Sequence, residues 1–320
     1  MIPEEASKNT NYRALADRLG YDLLRKRIQK QAGLWGHDTH PGQGFFVVER
    51  FLPIDFLAEL VLRLSGLYHR AYREFLDIQL YHNEVFFPDL PTEFDGFRLL
   101  QLSDLHIDID PALSERICGL MKKVDFDLCV LTGDFHHRIA RSSNRSLSEM
   151  KDLIPLLGEK PLGVLGNHDF IEKVAFLEHH GLRILMNENI RIERGGSEIW
   201  ICGVDDPHFF RTEDLLRAKK GTPPTAFRIL LSHSPEPFEQ AAMMGYHFML
   251  AGHTHGGQIC LPGGYPLINN ARSPRRVLAG PWREQGLQGY TSRGTGACGL
   301  PCRLNCPPEI TLHTLRRKVF

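Results

Sequence analysis

The sequence predicts an α/β fold built around parallel strands. Two observations carry this prediction. From residue 78 onward, short apolar runs alternate with segments of helical periodicity. Five of those runs end directly in a loop bearing Asp, Asn or His, and open sheets of this kind bind ligands beyond the carboxyl ends of their strands.

Residues 1–77 read as an N-terminal helical extension and residues 78–320 as the main domain. Tyr12 to Gln31 is basic and predicts a helix, and Gly33 to Gly44, with Gly36, Pro41 and Gly42, predicts a loop. Phe56, Leu57, Leu60, Val61, Leu64, Leu67 and Tyr68 recur at helical spacing. That helix either packs on the main domain or lies on lipid with Arg63, Arg70 and Arg73 at the headgroups.

In the main domain, strands are expected at Ile78–Phe87, which stops at Pro88, and at Phe97–Leu102. A helix from Pro111 to Val124, opened by proline, leads to a strand at Asp127–Leu131. The unit repeats with a helix at Leu147–Leu157, a strand at Pro161–Leu165 and a helix at Ile171–His180, which Gly181 stops. Ile190–Arg194 and Glu198–Cys202 predict antiparallel strands joined through Gly195-Gly196. A short helix at Glu213–Lys219, a strand at Phe227–Leu231, a helix at Glu236–Met244 and a strand at Phe248–Ala251 follow. The tail, 277–320, holds short strand candidates and a loop rich in Gly and Pro.

Lys+Arg 38 against Asp+Glu 38 leaves no net charge. This argues against a general polyanion binder, and no nucleic-acid partner is expected. Seven cysteines do not make a disulfide framework. Cys118, Cys129 and Cys202 lie in apolar runs as small hydrophobes, whereas Cys298, Cys302 and Cys306 are not at the usual zinc-knuckle spacing. No apolar run reaches the ~18 residues of a membrane span. Met1-Ile2-Pro3-Glu4-Glu5 lacks a basic region followed by an apolar one. The expectation is a cytoplasmic protein with peripheral contact to the inner membrane.

The loops carry the chemistry. Asp104 and His106 are two apart after Leu102, and His253 and His255 are two apart after Ala251. Strand side chains repeat with period two, so Asp104 and His106 can both face one point, and His253 and His255 are expected on the same side of the sheet. Asp134, Asn167 and His233 follow three further strands. Seven N/O donors at one end of a sheet are too many for one ion and suit two.

The ordered set Asp-x-His, Gly-Asp, Gly-Asn-His-Asp, His and Gly-His-x-His over 104–258 resembles the calcineurin-like metallophosphoesterases. Ser103–His106, the run Gly252–Gln258, and Ser292-Arg293-Gly294 with Pro307–Ile310 are similar to bacterial membrane-associated phosphoesterases of the YkuE/YaeI type. The resemblance implies a four-layer α/β/β/α sandwich. It implies that Asp104, His106 and His255 bind one divalent ion, that Asn167, His233 and His253 bind a second, and that Asp134 bridges both. Mn, Fe, Zn or Mg would serve. His168 would contact the phosphoryl group and protonate the leaving oxygen, and Asp169 would orient His168. The activity implied is hydrolysis of a phosphodiester or pyrophosphate by a metal-bridging hydroxide.

Beside the bridging Asp, His136 and His137 either line the substrate pocket or belong to a surface loop. Asp205-Asp206-Pro207-His208 either lines the cleft or is an ordinary Asp/Pro turn, the turn being favoured. Arg272, Arg275, Arg276 and Arg293 can grip a second phosphate or stay solvated. Substrates of two kinds fit: a lipid-linked headgroup such as UDP-2,3-diacylglucosamine, or a soluble nucleotide or small phosphoester. A non-catalytic scaffold ranks below both, because the chain keeps all seven ligands and His168.

Overall fold

The computed structural model describes residues 11–35, 54–137, 144–266 and 270–318. Four helices come first: α1 (Tyr12–Leu19), α2 (Tyr21–Trp35), α3 (Ile54–Leu64) and α4 (Tyr68–Leu76). Then follow β1 (Gln79–Phe87), β2 (Arg98–Leu102), α5 (Pro111–Met121), β3 (Leu128–Leu131), α6 (Asn144–Leu153), β4 (Leu162–Gly163), α7 (Lys173–His179) and β5 (Arg183–Ile184). The second half holds β6 (Glu188–Arg194), β7 (Ser197–Gly203), α8 (Leu215–Ala218), β8 (Phe227–Leu231), α9 (Phe238–Met243) and β9 (Phe248–Ala251). The chain closes with β10 (Cys260–Leu261), β11 (Tyr265–Pro266), β12 (Gly280–Glu284), β13 (Leu287–Thr291) and β14 (Glu309–Arg317).

These strands form two six-stranded sheets, ordered β1-β14-β2-β3-β4-β5 and β12-β13-β9-β8-β7-β6. The strands that end in the predicted site loops (β2, β3 and β4 in one sheet, β8 and β9 in the other) run parallel within each sheet. Period-two alternation then decides the layers. Leu99 and Val130 point with Phe227, Ile229, Phe248 and Leu250 into a core between the sheets. Leu100, Leu102, Cys129 and Leu131 point the other way, against α5, α6 and α7. Leu230 and Met249 pack under α8 and α9. Three apolar cores between four layers give the α/β/β/α sandwich.

Several elements differ from expectation. The predicted helix over 12–31 is two helices broken at Gly20, whose φ of 98° suits glycine. It continues to Trp35, through the first residues of the predicted loop, while the rest of the Gly33–Gly44 loop lies outside the described residues. The helix expected at Leu147–Leu157 ends at Leu153, and a 3-10 turn containing Pro155 takes over. The 213–219 helix shrinks to Leu215–Ala218. The tail is more regular than predicted: β12 and β13 form a hairpin, and β14 enters the first sheet between β1 and β2. All seven cysteines are free thiols.

The Phe56–Tyr68 stretch stops as a helix at Leu64 and restarts at Tyr68. Leu62 alone of its apolar residues is buried, in a cluster with Ala71, Cys302 and Leu304. Phe56, Leu57, Leu60, Val61 and Leu64 face solvent, Leu64 at 80% exposure. No described helix is long and apolar enough to cross a membrane.

Candidate metal centre

The strand ends bring the predicted residues together, but by a different backbone device from the one expected. Asp104, His106, Asp134, His253 and His255 all lie past the last strand residue, and all have positive φ (49°, 38°, 56°, 72° and 50°). Left-handed backbone is costly for such residues and clusters at functional sites. The loops are pinned together: the Asp104 amide donates to the Gly133 carbonyl, the His106 amide to Asp134, and the Gly252 amide to His233.

The side chains sort into overlapping groups. Ligand-type atoms of Asp104, His106 and His255 lie within 4.8 Å of one another, as do those of Asp134, His233 and His253, and those of His106, Asp134 and His168. His106 Nε2 is 3.2 Å from His255 Nε2, and His255 Nε2 is 3.6 Å from Asp104 Oδ1. Asp134 Oδ2 stands in the middle, 3.3 Å from His233 Nε2 and 3.6 Å from His106 Nε2. Asn167 joins through Oδ1, 2.9 Å from His233 Nε2. The two histidines of the Gly252–Gln258 run therefore belong to different groups, the division that the family resemblance implies. Their left-handed turns cancel the period-two rule.

The donor set suits divalent cations. His106 gives its Nδ1 proton to the His136 carbonyl at 2.9 Å, and His233 gives its own to Thr132 at 2.8 Å. Each ring is thereby held with Nε2 aimed inward, the usual support of a metal-binding histidine. His253 Nε2 is buried with no hydrogen-bond partner, a cost that a cation in the cluster would remove. Burial holds His106, His253 and His255 well below the ordinary histidine range, reinforced by His168, His208 and Arg303 respectively, so they stay neutral. Burial opposes ionisation of Asp134, yet His233, His168 and His106 together keep its carboxyl well below the usual range. His233, in turn, is desolvated but raised to about 10 by Asp134. A cation here would displace that proton.

His168 sits at the cluster edge. Its amide donates to Asp134 Oδ1 at 2.9 Å, its Nδ1 donates to the His137 carbonyl at 2.6 Å, and its Nε2 is 4.0 Å from Asp134 Oδ2. Asp169 does not touch the His168 ring, contrary to expectation. Its carboxylate accepts from the Phe135 and Gly166 amides and pairs with Lys173 at 3.3 Å. A carboxylate at the start of a turn meets nearby amides before it reaches the preceding side chain. His136 and His137 are buried; the His136 ring lies 3.0 Å from Asp108, and both contribute main-chain carbonyls to the site. Arg293 is paired with Glu309 at 2.5 Å and borders a cleft of about 640 Å³ that also takes in Tyr81, Tyr265 and Arg275.

Sequence reasoning missed Arg303 and Arg27. Arg303 is fully buried, donates to the His255 carbonyl at 2.8 Å and lies 3.0 Å from His255 Nδ1. Its signal is a lone arginine between Cys302 and Leu304. Arg27 falls on the helix face shared with Leu24 and Gln31, at core spacing.

Comparison with known proteins agrees with the site. Residues 97–257 match the calcineurin-like phosphoesterase family. The uncharacterized metallophosphoesterase YkoQ of Bacillus subtilis is 30% identical over 227 residues, spanning 68% of this chain and 83% of YkoQ. The phosphodiesterase YaeI of Escherichia coli is 29% identical over 258 residues, spanning 73% of this chain and 86% of YaeI. A transmembrane protein with metallophosphoesterase domain from Danio rerio is 29% identical over 250 residues, 71% of this chain but 55% of that protein. With the sandwich, the His/Asp cluster and these relatives in agreement, the chain belongs to the calcineurin-like phosphoesterase family of metal-dependent phosphoester hydrolases.

Proposed function

We propose that the chain is a phosphodiesterase working with two divalent cations. Asp104, His106 and His255 would hold one, Asn167, His233 and His253 the other, and Asp134 would reach both. The observation that carries this is Asp134 Oδ2, within 3.6 Å of a histidine from each group. When bound, such a pair supplies positive charge to the phosphoryl oxygens and lowers the pKa of a water.

The protein's own groups do the rest. His168, with Nδ1 committed to His137, presents Nε2 beside the cluster to hold or give a proton at the leaving oxygen. Asp169 keeps the two loops that carry His168 and Asp134 in register through the Phe135 and Gly166 amides. His136 and His137 act through their carbonyls, which orient His106 and His168. Arg293, on the cleft beyond Gly256, would meet the part of the substrate distal to the scissile phosphate.

The test is metal content and turnover of bis-p-nitrophenyl phosphate with Mn added. Wild type is expected to carry close to two ions and cleave the diester. His168→Ala should keep the ions and lose about 10²–10⁴-fold in kcat. A wild-type chain that binds no metal and leaves the diester intact overturns the reading.

A lipid-linked substrate is favoured by one further observation. The exposed apolar row of α3 is carried on Leu62, which packs on Cys302 and Leu304 in the loop that runs past the His255 turn. An exposed apolar patch of this kind marks a docking face, and Arg63 lies in the last turn of the same helix, paired with Glu59. The Danio rerio relative is named as a transmembrane protein. Wild type is expected to sediment with vesicles containing anionic lipid, and Leu60→Ser with Leu64→Ser to weaken that binding by about 10- to 100-fold. Equal recovery of both proteins with the vesicles rejects α3 as the docking face, and recovery of neither rejects a membrane-surface substrate in favour of a soluble phosphoester.

A further inference from the structure

The helix α2 lies outside the family match, which begins at residue 97, yet it reaches the site. Arg27 is fully buried. Its Nη1 lies 2.5 Å from Asp205 Oδ1 and its Nη2 donates to the Asp169 carbonyl at 2.5 Å. The guanidinium also stacks 4.0 Å over the Phe210 ring. One turn on, Gln31 Oε1 accepts from the Ile171 amide at 3.1 Å, and its Nε2 donates to Glu172 at 3.0 Å. Tyr12 of α1 donates to the other oxygen of Glu172 at 3.1 Å.

Every one of these bonds to the 169–172 segment falls directly after His168. On its opposite side the same segment is tied to the Asp134 loop by the His168 amide and the Asp169 carboxylate. Asp205 follows β7 of the second sheet, and Asp169 follows β4 of the first. The fork of Arg27 therefore joins loops from both sheets through two separate nitrogens while its plane lies on Phe210. Burying an arginine for packing alone is unfavourable, and an apolar side chain would cover Phe210 as well. What the guanidinium supplies beyond an apolar side chain is the simultaneous bond to Asp205 and to the Asp169 carbonyl.

We propose that α2 is a brace for the His168 loop and that Arg27 and Gln31 are positioning residues that hold His168 at the leaving oxygen. The proposal rests on the reading of His168 as the proton donor. A donor displaced by an ångström loses rate, most of all for a poor leaving group, which needs the proton more.

The experiment uses the full chain and compares bis-p-nitrophenyl phosphate with a diester that leaves as phenol. Arg27→Gln is expected to lower kcat by about 10-fold on the first and about 10²-fold on the second, with metal content and KM little changed. Gln31→Met, which removes the bond to Ile171 without emptying a charged site, should give the same signature at smaller size and covers the case in which Arg27→Gln does not fold. Arg18→Gln is the control. Arg18 anchors the same helical pair through Glu178 and Glu188, away from His168, so its loss should lower Tm and leave kcat on both diesters unchanged. If Arg27→Gln and Gln31→Met lose rate equally on both diesters or not at all, or if Arg18→Gln shows the same leaving-group dependence, the brace is overturned. His168→Ala separates the two ideas. If it shows no leaving-group dependence, the donor reading falls and the proposal with it; if it does and Arg27→Gln does not, the brace alone falls.

Discussion

Asp134→Asn is expected to abolish turnover and to strip the chain of metal. The substitution is nearly isosteric, and the remaining carbonyl oxygen can still accept from the His168 amide, so the loop has no steric reason to move. What disappears is the anion between the two histidine groups. Asp134 Oδ2 is 3.3 Å from His233 Nε2 and 3.6 Å from His106 Nε2. In the native chain the surrounding histidines, His233 first, together outweigh the cost of burial and hold its carboxyl well below the usual range. An amide in that place cannot share charge between two cations. The rate should fall by at least roughly 10³-fold, which is about 4 kcal/mol of transition-state stabilisation. Elemental analysis should find less than one ion per chain. The Tm of the metal-free variant should stay near that of the metal-free wild type, because the burial cost of the carboxylate goes with it. Full metal occupancy and wild-type rate would show that Asp134 does not join the two groups.

The residues of this centre were legible because each follows an apolar strand, and strand ends in a parallel sheet share one edge. The reason they converge was not legible. Period two explains a pair such as Asp104 and His106 only while the backbone stays extended, and β2 ends at Leu102. The positive φ at both residues is fixed by partners far along the chain, since their amides are held by Gly133 and Asp134. The same limit hid β14. Its pairing with β1 and β2 joins residues more than two hundred positions apart, and local pattern carries no trace of that. Asp169 was read as a partner of the His168 ring from the family resemblance, whereas its carboxylate is taken up by the amides of Phe135 and Gly166.

The N-terminal helices show the opposite case. Their helical character was visible, and their relation to the site was not. Leu15, Leu19 and Leu24 join the same apolar cluster as Leu100 and Leu131, so α1 and α2 are built into the layer outside the first sheet. Arg27 and Gln31 occupy positions on that buried face where a hydrophobic residue would be expected. A charged side chain at core spacing is a signal of a specific buried partner, though spacing alone does not name Asp205 or Asp169. In α3 the signal runs the other way: the helical apolar row was plain, but only the structure shows that Leu62 is buried while Phe56, Leu57, Leu60, Val61 and Leu64 are left outside.

Gly252→Ala is expected to damage the centre as severely as the loss of a ligand, with no ligand removed. Gly252 follows β9 and precedes His253, and its backbone angle is not one that demands glycine. The demand is for space. A Cβ at this position would overlap Ser103 Oγ and Asp104 Oδ2. Neither atom can yield cheaply. Ser103 Oγ accepts from Thr132 Oγ1 at 2.6 Å and donates to Asp104, and the Asp104 carboxylate also accepts from the His253 amide at 3.0 Å. Moving Asp104 away breaks the group it forms with His106 and His255; moving the Gly252 backbone shifts His253 and His255 together. Overpacking a filled interior costs roughly 1–3 kcal/mol, and here that strain falls on ligand geometry. Metal affinity should drop by at least about 10-fold and kcat by about 10²-fold or more. Gly286→Ala provides the contrast, since a Cβ there meets nothing within 4 Å. It should match wild type in metal content, rate and Tm. A Gly252→Ala chain that keeps metal and rate would mean that the strand-end loops have slack, and that the left-handed residues around them are not locked in place by packing.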